Sequence, residues 1–204
     1  MKIRIILTTL FLSILTNSTF SQQGDSLKID ITGVESTELL DFYRFENINY
    51  FKINISGKEI KNKYFLLTSN EYWKDKKVKT DTIVYTKRFQ LQNEIDTVKI
   101  RIMSKKEKSD TVKFQFHLPR FSIIKKFGTT NKDMYSLRVT SNREKLFAKN
   151  APINFLVYSL PYKVPNSPGR FSYCALTREG TPPDEWGAKF GVEHYIVFKF
   201  TLIE

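Results

Sequence analysis

Two stretches of the chain alternate strictly between apolar and polar residues. In DTVKIRI, Val98, Ile100 and Ile102 fall on one side, and Lys99 and Arg101 on the other. In DTVKFQFHL, Val112, Phe114, Phe116 and Leu118 oppose Lys113, Gln115 and His117. Only a strand sends successive side chains to opposite faces, so this period predicts strands with one buried and one wet face. That pattern belongs to antiparallel sheets. A third copy, DTIVYTKRFQL, starts at Asp81, placing the Asp-Thr starts at 81, 96 and 110. Their even spacing predicts a three-stranded antiparallel meander with short polar turns. LKIDIT (27–32), YFKINIS (50–56) and NKYFLLT (62–68) add earlier strands. Six strands in about a hundred residues is the density of a β-sandwich.

Composition shifts near Pro119. Six of the seven prolines and four of the eight glycines lie between Pro152 and Gly191. Here strand-like runs (MYSLRVT, INFLVYSL, RFSYCALT, HYIVFKFTL) surround an irregular loop, PYKVPNSPGR. Two helix starts show capping-box spacing: Ser141 with Glu144 in SNREKLFAKN, and Thr181 with Asp184 in TPPDEWGAKFG. In the second, Pro182 suits the first helical position and Gly191 the stop, predicting a helix over 182–190. The chain therefore reads as mainly β. It has an antiparallel, β-sandwich-like N-terminal half (22–120) and a β-rich C-terminal half (121–204) with two short helices. The two halves form separate domains or one continuous fold.

The first residues, MKIRIILTTLFLSILTNSTFSQQ, join Lys2 and Arg4 to an apolar run from Ile5 to Leu15 and a small-residue site ending at Ser21. This is the layout of a signal peptide over residues 1–21, too short to span a bilayer comfortably. The expectation is an exported chain, periplasmic or extracellular, with no transmembrane segment after cleavage. Cys174 is the only cysteine, so no disulfide can form within the chain and stability must come from a core. Seventeen Phe, ten Tyr and two Trp supply it. The net charge of +12 is spread evenly along the chain. An even spread makes no nucleic-acid-binding domain.

Candidate chemistry is sparse. Asp184, Glu185 and His194 lie close in sequence and could serve as an acid/base set. Each has a structural role first: the acids suit a helix N-terminus, and His194 alternates with Ile196, Phe198 and Phe200 on a core row. Cys174 and His194 are the only thiol–imidazole pair available, but Cys174 reads as a buried mid-strand thiol. Two histidines 77 residues apart and one cysteine make a metal site improbable. No Walker loop, G-x-G-x-x-G or G-x-S-x-G occurs, and no cofactor is expected. If the meander holds, the loops KDKKVK (74–79) and SKKEKS (104–109) share one end of the sheet. They would form a basic tip including Lys76, Lys77, Lys105 and Lys106, fit for an anionic surface. The Pro-rich loop, with Tyr162, Arg170 and Tyr173, has the composition of a recognition surface. The leading reading is an exported, non-catalytic binding or envelope-associated protein, including the immunity or inhibitor type. Its partner is a protein or cell-envelope component, not nucleic acid. The rival is a periplasmic hydrolase using Asp184, Glu185 and His194.

Overall fold

The structure, a computed structural model, describes residues 26–140, 146–148, 151–174, 176 and 180–204. The expected signal peptide and the Ser141–Glu144 cap lie outside the described residues. The alternating runs become two antiparallel sheets. The six-stranded sheet has the order β7-β6-β5-β2-β1-β9. Its strands are β1 (Ser26–Thr32), β2 (Ile48–Ser56), β5 (Thr97–Lys108), β6 (Thr111–His117), β7 (Ser122–Gly128) and β9 (Leu146–Ala148). The five-stranded sheet runs β4-β3-β13-β10-β8. It holds β3 (Tyr64–Trp73), β4 (Lys76–Tyr85), β8 (Ser136–Val139), β10 (Ile153–Ser159) and β13 (His194–Ile203). A small hairpin pairs β11 (Tyr162–Lys163) with β12 (Phe171–Ser172). The α-helices with described bounds are α1 (Thr37–Phe45) and α2 (Trp186–Phe190). The mainly β, sandwich-like class is the one read from the sequence, and α2 lies where one of the two expected helices was placed. Both sheets draw strands from either side of residue 120: β3 lies beside β13, and β1 beside β9.

The inward rows meet in one core. Ile53, Ile100, Ile102, Val112, Phe114 and Phe116 face Leu67, Leu156, Tyr158, Ile196, Phe198 and Phe200. Phe114 is at its centre, with ring contacts to Phe116, Phe127, Tyr158 and Phe198. Residues that alternate with the inward row of β13, namely Tyr195 and Val197, build a second cluster on the sheet's outer face with Tyr72, Val157, Val192 and Trp186. The rings of Tyr72 and Tyr195, directly opposite in register, stack at 4.8 Å. Trp186 docks α2 here, and its indole N–H donates to the Thr181 carbonyl. The helix stops at Gly191, whose φ of 67° is the left-handed conformation expected of its terminator. A 3-10 turn over Pro183–Glu185 precedes it. Gly187 permits the close fit: a Cβ there would lie 1.6 Å from the Lys74 carbonyl oxygen in the β3–β4 turn.

Several expectations are corrected. The strand from Asp81 is part of β4, which folds back on β3 through the turn at Lys74 and Asp75. The chain then crosses to the other sheet over 86–96, so only β5 and β6 of the three Asp-Thr copies are neighbours. KDKKVK and SKKEKS are mostly strand ends rather than loops. In SNREKLFAKN, Leu146–Ala148 pair with β1 as a strand, where a helix was expected. Thr181 makes no side-chain cap; its hydroxyl oxygen accepts from Lys189 instead. Cys174 is not mid-strand, because β12 ends at Ser172, and its side chain is exposed rather than buried. Helix α1 was not anticipated. Ser36 caps it, its oxygen accepting from the Leu39 N–H. None of its residues is buried, and Tyr43 meets Tyr50 at 5.4 Å between ring centres.

Candidate functional site

The chemistry-bearing side chains gather at one end of the sandwich. There β3 ends, β13 begins and β5 turns into β6. The loop from Thr129 to Tyr135 straps the two sheets together. Lys106 of β5 reaches Asp133 at 2.7 Å and the Lys132 carbonyl at 3.1 Å, while Lys132 pairs with Glu193. The Glu193 carbonyl in turn accepts from the Lys74 N–H at 2.7 Å. The two Lys-bearing turns therefore share an end, though in different sheets.

His194 lies beneath this strap, 0% exposed. Its register partner Trp73 covers one face, with ring centres 4.2 Å apart. Nδ1 is 2.6 Å from the Tyr135 hydroxyl and Nε2 is 3.3 Å from Glu71 Oε1. The network dictates the tautomer. Nε2–H donates to the Glu71 carboxylate, and Nδ1 accepts from Tyr135 O–H. The Tyr135 oxygen accepts from the Thr130 N–H at 3.1 Å. Trp73 Nε1–H donates to the same Glu71 oxygen at 3.0 Å. Burial lowers the His194 pKa from its ordinary 6.5, opposed in part by the Glu71 and Glu193 charges. Burial raises that of Tyr135.

A hydroxyl, imidazole and carboxylate in line resemble an activated nucleophile and its base. In such a set the imidazole engages the hydroxyl through one nitrogen and the carboxylate through the other, and a substrate must be able to reach the hydroxyl. Here burial raises the Tyr135 pKa, His194 is 0% exposed, and the Tyr135 oxygen already accepts from the Thr130 N–H. The arrangement's physical effect is to anchor the strap to β13 and β3. Asp184 and Glu185 are exposed in the turn before α2, and neither is a partner of His194. Cys174 is exposed while His194 is buried, so the thiol–imidazole pair does not form.

The lysines are dispersed and largely answered. Lys105 pairs with Glu46 at 2.6 Å and Lys106 with Asp133, while Lys76 and Lys77 are exposed on β4, the edge of its sheet. Exposed lysines on an edge strand also discourage strand addition. In the Pro-rich region, Tyr162 is half-buried against Phe190, with ring centres 5.6 Å apart. Tyr173 donates its hydroxyl to the Met134 carbonyl, and the Arg138 guanidinium lies 4.4 Å from its ring centre. Arg170 is exposed in the turn of the β11–β12 hairpin.

Two clefts open at this end. One, of about 790 Å³, lies between the end of α1, the ends of β2 and β5, and the Tyr135 and Tyr158 side. The other, of about 560 Å³, is walled by Met134, Leu160, Pro161, Phe171 and Phe190, with Lys74, Lys132 and Lys163 also lining it. Sequence reasoning missed Glu71 and Tyr135. The available signal for Glu71 was a lone acid on the alternating row Leu67, Ser69, Glu71, Trp73. No group of three or more His, Cys, Asp or Glu able to hold a metal occurs among the described residues. No helix among them is long and apolar enough to cross a membrane. No family model matches the chain, and no curated protein or solved structure matches it either.

Proposed function

We propose that the chain is an exported, non-catalytic binding protein that engages a protein of the cell envelope through this end of the sandwich. The observation behind the reading is the distribution of exposed large apolar side chains. Phe45 at the end of α1, Trp73 at the end of β3, and Met134 and Phe171 in the second cleft are exposed, as are Leu39 and Phe42 on α1 and Val78 on β4. Phe45 is 83% exposed and Phe42 54%. Clustered apolar exposure within a polar surround marks interaction surfaces, and enrichment in aromatic residues is the compositional sign of an interface. An immunity or inhibitor role is the narrower form of this reading. The rival hydrolase loses its geometric support, because Asp184, Glu185 and His194 do not converge.

Site-specific photo-cross-linking in the native envelope tests the reading. A photoreactive residue at position 45 or 171 should give a discrete protein adduct, whereas one at Phe89 or Ile95 should not. Adducts only from the latter positions would overturn the choice of surface. Recovery of the chain with an intact N-terminus in the cytoplasm would overturn export, for which a new N-terminus at Gln22 is expected.

A further inference from the structure

We propose that the 560 Å³ cleft receives a large apolar side chain of the partner protein whose flanking residues are acidic. This deepens the reading above and rests on the partner being a protein. The cleft's size is within the roughly 300–1,000 Å³ of ordinary ligand sites. Its walls are apolar, and two of them are unusually open for such residues: Phe171 is 43% exposed and Met134 39%. Covering those surfaces is the favourable act that occupation would supply.

The charged lining selects the occupant. Lys74, Lys132 and Lys163 approach the cleft from three different elements, and among the described residues that line it Glu193 is the one acid. Lys132 already pairs with Glu193, which neutralises that acid. Among the described residues, Lys74 and Lys163 make no ion pair. An apolar group flanked by carboxylates would thus bury its side chain and meet two uncommitted ammonium groups. A basic segment would bring like charges together. The frame is also preorganised. The Gly187 contact fixes α2 against the Lys74 turn, and the strap holding Lys132 and Met134 is anchored through Tyr135 to His194. A site held rigid before binding loses less entropy on occupation.

The test uses the mature chain, isotopically labelled, and the blocked peptide Ac-EDFDE-amide as probe. Saturable binding is expected, with the largest amide shifts at Lys163, Phe171, Gly187 and Gly191. Replacing the peptide's phenylalanine by alanine should abolish those shifts. The double variant Lys74→Gln, Lys163→Gln should weaken binding by about three- to tenfold, the scale of two partly exposed ion pairs. Both substitutions are at exposed positions, so folding should be unaffected, which the variant's spectrum checks directly. Equal binding of Ac-KKFKK-amide, shifts confined to other regions, or no binding at millimolar peptide would each overturn the proposal. A cross-link from position 45 without peptide binding would sink the cleft and leave the proposed function standing. Peptide binding without any cross-link would sink both, because the cleft's occupant is a side chain of that partner.

Discussion

Replacing Gly187 by alanine sets two effects of opposite sign against each other. In an unencumbered helix, alanine is favoured over glycine by about 1 kcal/mol. At this position the new Cβ would lie 1.6 Å from the Lys74 carbonyl oxygen, 2.3 Å from its carbon and 2.7 Å from the Asp75 Cα. All three are backbone atoms, so no rotamer change relieves the overlap. Reaching ordinary contact at 3.4 Å requires α2 and the turn to separate by roughly 1.8 Å. That movement would strain the Lys74 N–H bond to the Glu193 carbonyl and the Gly187 N–H bond to the Tyr195 hydroxyl. Overpacking of this kind costs about 1–3 kcal/mol, and two weakened hydrogen bonds add about 1 kcal/mol each. The clash outweighs the helix propensity, and a net loss of about 3 kcal/mol is expected. For a chain of this size that lowers Tm by roughly 6–12 °C. Gly33→Ala, where nothing lies within 4 Å of the added Cβ, is the control and should stay within about 0.5 kcal/mol of the wild type. Thermal and urea unfolding read both variants. A Gly187→Ala protein that melts at or above the wild-type temperature would refute the close contact and the rigid cleft wall built on it.

Tyr135→Phe should destabilise the chain by about 2 kcal/mol in urea unfolding, because it leaves His194 Nδ1 and the Thr130 N–H without partners. An unchanged midpoint would remove the strap's anchor from the account. Because the folded-state pKa of His194 lies below 6.5, the unfolded chain binds its proton first as pH falls. His194 therefore leaves stability untouched above about pH 6.5 and erodes it below, by at most about 1.4 kcal/mol per pH unit, until the folded state also protonates. His194→Gln should flatten that loss between pH 7 and 5, and identical slopes would contradict the assignment. Exposed Cys174 should be alkylated by iodoacetamide in the native protein within about tenfold of its rate in urea. Labelling that waits for unfolding would restore the buried thiol read from the sequence.

Faces were legible where alternation was strict. Val98, Ile100 and Ile102 are all buried, as are Val112, Phe114, Phe116 and Leu118, because a strand's period is local. Partner choice was not legible. β4 and β5 carry similar Asp-Thr repeats, but Asp81 lies in the middle of β4, which pairs through a tight turn with β3, while β5 takes β2 from nearly fifty residues earlier. Nothing in either segment's own pattern distinguishes those outcomes. The Ser141–Glu144 spacing resembles a helix cap, yet Leu146–Ala148 gain backbone partners on β1 far back in the chain. In the same way His194 acquires Glu71 from 123 positions away and Tyr135 from 59. The sequence neighbours that suggested chemistry, Asp184 and Glu185, had a purely local role at the helix start.

The position of β13 constrains how the molecule can come into being. β13 occupies the middle of its sheet, paired along all ten residues with β3 and on its other side with β10. Until His194–Ile203 are available, β3 and β10 have no sheet to share, and Leu67, Leu156 and Tyr158 lack the Ile196, Phe198 and Phe200 row that lies between them. β3 and β10 must therefore wait, with apolar faces bare, for β13 to join them. Closure over such separations is slow, and the waiting form is open to aggregation or capture by a holding chaperone. Removal of β13 should leave a chain unable to assemble the five-stranded sheet at all, rather than one merely lacking an edge.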